Sequence, residues 1–75
     1  MGERADLHRR LIDAHERGEP DRLARLYRQA GDRAVGDGDE DAACFYYTHA
    51  YVFALQGGLE AAGEILAILK RYGRE

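Results

Sequence analysis

The sequence has no tryptophan, one cysteine and one proline, and it has no long apolar run. Each shortage excludes something. A lone cysteine, Cys44, cannot close an internal disulfide or assemble a zinc site built on several thiolates. It has no basic neighbour in sequence, so it is expected to be a small buried apolar residue in a protein of the reducing cytoplasm. A bilayer-spanning helix needs about 20 apolar residues in succession, and none occur. The first residues, Met1-Gly2-Glu3-Arg4-Ala5-Asp6, lack the apolar core of a signal peptide. Asp6 also stands where a myristoylation motif needs serine or threonine. Basic charge is short too: 11 bases face 14 acids, for a net charge of -3. A general nucleic-acid binder needs a basic surface, so no nucleic acid and no membrane are expected among the partners. Glycine-rich phosphate loops, Ser-His-Asp arrangements and paired catalytic carboxylates are missing. No enzyme activity, cofactor or metal is therefore expected.

What remains is a chain of 75 residues, enough for one domain spanning residues 1–75. A domain this small buries only about 60–65% of the surface its unfolded chain exposes, so its stability margin is thin, and self-association is a common remedy. Helix formers dominate and glycines punctuate them, which predicts four helices. The first runs from Glu3 to Arg17, with Leu7, Leu11 and Ala14 on one face. The second starts at Pro20, where a missing N–H costs nothing, and ends near Val35. It presents Leu23, Leu26, Tyr27, Ala30 and Ala34. Asp39 is placed to cap the third, Glu40 to Gln56, with Glu40 and Asp41 favourably set against the helix dipole. That third helix is apolar around its circumference, which predicts a central position packed on more than one side. The fourth runs from Leu59 to about Tyr72.

Gly18, Gly38 and Gly58 are spaced twenty residues apart, each in an inter-helix turn. Behind them Leu23, Tyr27 and Ala30 recur as Ala43, Tyr47 and Ala50. A fixed short period marks stacked helical units. Small residues let antiparallel helices approach, aromatics fill the groove, and glycine permits the left-handed turn. Tyr27, Ala30-Gly31, Ala34, Gly38-Asp39, Ala43, Tyr47 and Ala50 resemble the tetratricopeptide repeat at that family's spacing, over residues 25–55. The sequence departs from the pattern at Leu55, where proline is usual. The resemblance implies an all-α fold of stacked antiparallel helical hairpins, with a closed four-helix bundle as the alternative. It also implies a protein-interaction module, a small adaptor or regulator. In such proteins the first helix of a repeat lines a groove that grips an extended peptide. Carried over, this nominates Arg25, Arg28, Gln29 and Asp32 as partner-binding residues. The alternative for Arg28 and Asp32 is an i,i+4 ion pair on a wet face.

The fourth segment carries an apolar stripe, Leu59, Ala62, Ile65, Leu66, Ile68 and Leu69, wider than one neighbour needs. It is expected to form a dimer interface, giving a homo-oligomer. Two chemical alternatives are weighed against this. The acidic turn Asp37-Gly38-Asp39-Glu40-Asp41 fails as an EF-hand, because Ala42 and Thr48 stand where glycine and glutamate are required. Helix capping explains it better. The second alternative is a helical bundle binding a small ligand or metal through Tyr46, Tyr47, Tyr51, Phe45 and Phe53 with His8, His15 and His49. His8 and His15 lie about 10.5 Å apart along their helix, too far to chelate one ion together. His49 joins them only if the third helix packs beside the first. Tyr47 and Tyr51 are expected in the core. Phe45, Tyr46 and Phe53 must meet the first helix, the fourth or a second subunit.

Overall fold

The computed structural model describes residues 3–73, with side chains from Asp6 onward. The Met1-Gly2 terminus lies outside the described residues. Four helices follow one another: α1 (Glu3–Arg17), α2 (Pro20–Gly36), α3 (Glu40–Gln56) and α4 (Ala61–Arg71). No strand occurs among the described residues. Each helix packs along its neighbour in sequence, α1 on α2, α2 on α3 and α3 on α4. The tight turns between them make successive helices antiparallel. Cα extents of 30 × 30 × 13 Å describe a flattened row of hairpins. A closed bundle needs α1 to pack along α4, and among the described residues no extensive interface joins those two.

The twenty-residue period has a concrete geometry. Gly18, Gly38 and Gly58 all adopt positive φ, between 63° and 77°. The N–H after each glycine reaches back to a carbonyl five residues earlier: Glu19 to Ala14 at 3.3 Å, Asp39 to Ala34 at 2.9 Å and Leu59 to Ala54 at 2.9 Å. The glycine N–H groups bond to His15, Val35 and Leu55. This is the Schellman arrangement, which satisfies the orphan carbonyls of a helix end and needs a left-handed residue at its corner. The three accepting alanines are themselves buried. The same residue type thus closes the turn and lets the next helix come close.

Asp39 caps α3 as expected, its Oδ1 accepting from Ala42 N–H at 3.0 Å. α4 begins two residues later than the sequence suggests. Leu59 and Glu60 form a separate turn, with Ala62 N–H bonded to Leu59 and Gly63 N–H to Glu60. The main core runs through α2, α3 and α4, where Ala24, Ala34, Ala43, Ala50 and Ala54 admit Tyr47, Ile65 and Leu69. A smaller cluster of Ala14, Leu23 and Leu26 joins α1, with Leu7 and Leu11 half-buried against it. Gly31 is fixed by the Tyr47 ring, since a Cβ there would lie 2.6 Å from Tyr47 Cε1. The ring occupies the space that a side chain would take. α3 is central as predicted, yet one of its faces has no neighbour: Phe45 is 58% exposed, Val52 44% and Leu55 56%.

Candidate protein-binding face

On α2, helical spacing brings Arg22, Arg25, Gln29 and Asp32 to one side of the helix. Arg10 of α1 reaches the same side. Together with Arg28 and the buried Leu26 these residues line one open depression of about 670 Å³. The four nominated residues therefore share a site, but not on equal terms. Arg28 is engaged across the row, its Nη1 donating to Glu64 Oε1 on α4 at 2.9 Å. Asp32 accepts from the Tyr47 hydroxyl at 2.6 Å. The anticipated Arg28–Asp32 ion pair gives way to these two contacts, because Tyr47 and Glu64 reach the pair from other helices.

Arg22 is also tied down, to Asp13 at 3.0 Å and Glu19 at 3.6 Å. Asp13 takes Arg17 as well, at 3.2 Å. Arg10, Arg25 and Gln29 are exposed and make no side-chain hydrogen bond or ion pair among the described residues. Sequence reasoning missed Arg10. The signal was there: Arg10 sits one turn from Leu7 on the edge of the α1 face that packs on α2. Yet no spacing rule within one helix points across to another.

Three of the six residues expected at an α4 dimer interface are used inside the fold. Ala62 is 8% exposed, Ile65 1% and Leu69 4%, all inside the chain's own core against α3. Half of the stripe is used by the fold because α3 offers α4 a complementary bed of small residues. Leu59, Leu66 and Ile68 stay half-buried.

The rings gather at the junction of α1, α2 and α3. His15 Nε2 and the Tyr27 hydroxyl share a hydrogen bond at 2.9 Å. Tyr27 stacks on Phe53 with centroids 5.7 Å apart and on His49 at 5.1 Å. Phe53 meets His15 on α1, whereas exposed Phe45 leans on His49 at 4.5 Å. His49 Nδ1 donates to the Phe45 carbonyl at 2.9 Å. These rings spend their faces on one another. Tyr47 is buried in the core and Tyr51 is half-buried. Nearby, a cleft of about 380 Å³ has Leu7, Leu11, Ala30, Ala34, Ala42 and Tyr46 among its walls, with His8 at its rim. Among the described residues, no group of three or more His, Cys, Asp or Glu side chains is placed to hold a metal ion.

Burial raises the Tyr47 phenol well above its ordinary value, and the hydrogen bond to the Asp32 carboxylate adds to this. Burial raises Tyr27 too, with Tyr46 contributing. No helix among the described residues is long and apolar enough to cross a membrane. Compared with known proteins, the chain matches no protein-family model, no curated protein and no solved structure.

Proposed function

We propose that the chain is a non-catalytic protein-interaction module whose arginine face on α2 takes an acidic peptide segment. One observation carries this: Arg10 and Arg25, from two different helices, flank Gln29 over a single open depression and make no side-chain hydrogen bond or ion pair among the described residues. A guanidinium bonds a carboxylate through two parallel N–H groups, which is the strongest common form of side-chain recognition at a surface. Gln29 has both a donor and an acceptor and suits the backbone of an extended segment. Rigid helices fix the backbone of all three groups, so the order lost on binding is that of the side chains. Burial raises the phenols of Tyr27 and Tyr47 further above neutral pH. An acid–base catalyst needs the opposite displacement. In this reading the module works in a reducing aqueous compartment, the cytoplasm, where buried Cys44 stays a thiol.

The test is fluorescence anisotropy with a labelled Asp/Glu-rich peptide and its Asn/Gln counterpart. The acidic peptide should bind preferentially, and binding should weaken as salt rises. Arg25→Ala should lower affinity about two- to fivefold, since a solvent-exposed ion pair is worth up to about 1 kcal/mol. Equal binding of both peptides, or indifference to Arg10→Ala with Arg25→Ala, would reject the assignment.

A further inference from the structure

The cleft of about 380 Å³ at the junction of α1, α2 and α3 has room because alanines stand on two of its sides, Ala30 and Ala34 of α2 and Ala42 of α3. Leu7, Leu11 and Tyr46 complete the walls and are only half-buried, so their apolar surface faces an opening. Of the polar rim, Asp39 caps α3, and Arg33 and Asp37 are engaged within the chain. What the cleft offers is apolar surface. Its volume lies at the small end of ligand pockets, room for one large side chain rather than a cofactor. The cleft also adjoins the arginine depression. Asp6, Leu7, Arg10, Gln29 and Arg33 line a further hollow of about 310 Å³. This hollow shares Leu7 and Arg33 with the cleft, and Arg10 and Gln29 with the arginine depression. The three form one track past the N-terminal part of α1, with Arg10 and Arg25 at one end and apolar walls at the other.

We propose that the acidic segment taken by the arginine face continues along this track and seats one large apolar side chain, leucine or phenylalanine, in the cleft between α1, α2 and α3. The inference rests on the proposed role of the face as a receptor for acidic segments, and specifies the segment as a two-part motif. Along α2, Ala30 follows Arg25 by five residues and Ala34 follows Gln29 by five. That offset is about 7.5 Å at the helical rise, and passing round the flank of the helix adds about 10 Å at right angles to it. The two ends of the track are then roughly 12 Å apart, which an extended segment covers in about four residues. The motif is an acidic residue with the apolar one about four positions away. Its halves act by different physics. Exposed ion pairs give a modest attraction that salt screens. Burying the apolar side chain removes area from water, which salt does not screen.

Fluorescence anisotropy on the full chain with four labelled peptides tests this. The first is an acidic segment with phenylalanine four positions from its central acid, and the second carries serine there instead. The third has the phenylalanine next to that acid. The fourth keeps the spaced phenylalanine and changes the acids to asparagine and glutamine. The first should bind about tenfold tighter than the second. That ratio should persist as salt rises, while both affinities fall. The third should lose most of the gain. Ala42→Leu fills the cleft from its α3 wall and should remove the difference between the first two peptides. Circular dichroism verifies folding of that variant. Should it fail to fold, NMR chemical shifts of the wild type decide: exchanging serine for phenylalanine in the peptide should move Leu7, Leu11, Ala34 and Ala42. Equal affinity for the first two peptides overturns the proposal and leaves the arginine face standing. A gain that survives Ala42→Leu overturns it too, as do shifts confined to Phe45, Val52 and Leu55, which assign the apolar residue to the outer stripe of α3. Undiminished binding of the fourth peptide removes the arginine face, and the two-part motif with it. Absence of binding by every peptide removes both as well.

Discussion

Helices α1 and α4 are both end helices of the row, yet they are held by different means. α4 sinks Ala62, Ile65 and Leu69 into the shared core over an eleven-residue helix. α1 is fifteen residues long, and among its described residues only Ala14 is fully buried. The remainder of its attachment is half-buried leucine plus polar clasps, Arg22 to Asp13 and His15 to Tyr27. Apolar burial is insensitive to salt, whereas exposed ion pairs are screened by it. One end of the molecule is therefore locked to the fold, and the other is fastened in a way that solution conditions can loosen.

The largest expected effect is on the locked end. Ile65→Ala should cost about 2–5 kcal/mol, most of the margin of so small a domain, and urea unfolding followed by circular dichroism measures it. A loss below about 1 kcal/mol would contradict the core position of α4. Next comes Gly31→Ala between α2 and α3. The new Cβ displaces a ring that Asp32 pins, an overpacking cost of about 1–3 kcal/mol, of which alanine's helix preference returns up to about 1 kcal/mol. A stabilised variant would show that the Tyr47 ring moves freely.

Tyr47→Phe removes one hydrogen bond and should cost about 1 kcal/mol at neutral pH. The same substitution has a signature in alkali. A tyrosine whose phenol is raised in the folded state contributes stability that is present below its unfolded value near 10 and is lost as pH rises through the folded value. Wild-type stability should thus decline above about pH 10, and the Phe variant should decline less. A parallel decline would remove Tyr47 as the cause.

The smallest effect sharpens the comparison most. Asp13→Ala frees Arg17 and Arg22 and should cost only about 0.5 kcal/mol, as solvent-exposed pairs do. It should speed amide hydrogen exchange in α1 while leaving α3 unchanged, and added salt should mimic it. Uniform acceleration across both helices would show that the two ends are equally held.

The helices themselves were legible because glycine and capping residues act locally. Gly18, Gly38, Gly58 and Asp39 each do their work within one turn of chain, and the sequence is enough to place them. The start of α4 was misplaced because Leu59 belongs to the helical stripe by spacing but to the preceding turn by its carbonyl bond to Ala62. The site was legible only in part. Arg25 and Gln29 follow from α2 alone. The fates of Arg28 and Asp32 were decided by Glu64 and Tyr47, residues 36 and 15 positions away. Arg10 entered through packing between α1 and α2. Which half of the α4 stripe the fold would use was also hidden, since it depends on the bed of alanines that α3 presents. Periodicity identifies an apolar face, but not the partner that covers it.

The shallow dimension of 13 Å has a consequence of its own. A tile of this depth, measured between Cα atoms, exposes much of each helix on a broad side. Arg25 and Gln29 on one helix and the uncovered rings and aliphatics of α3 on another can each be engaged without displacing the other.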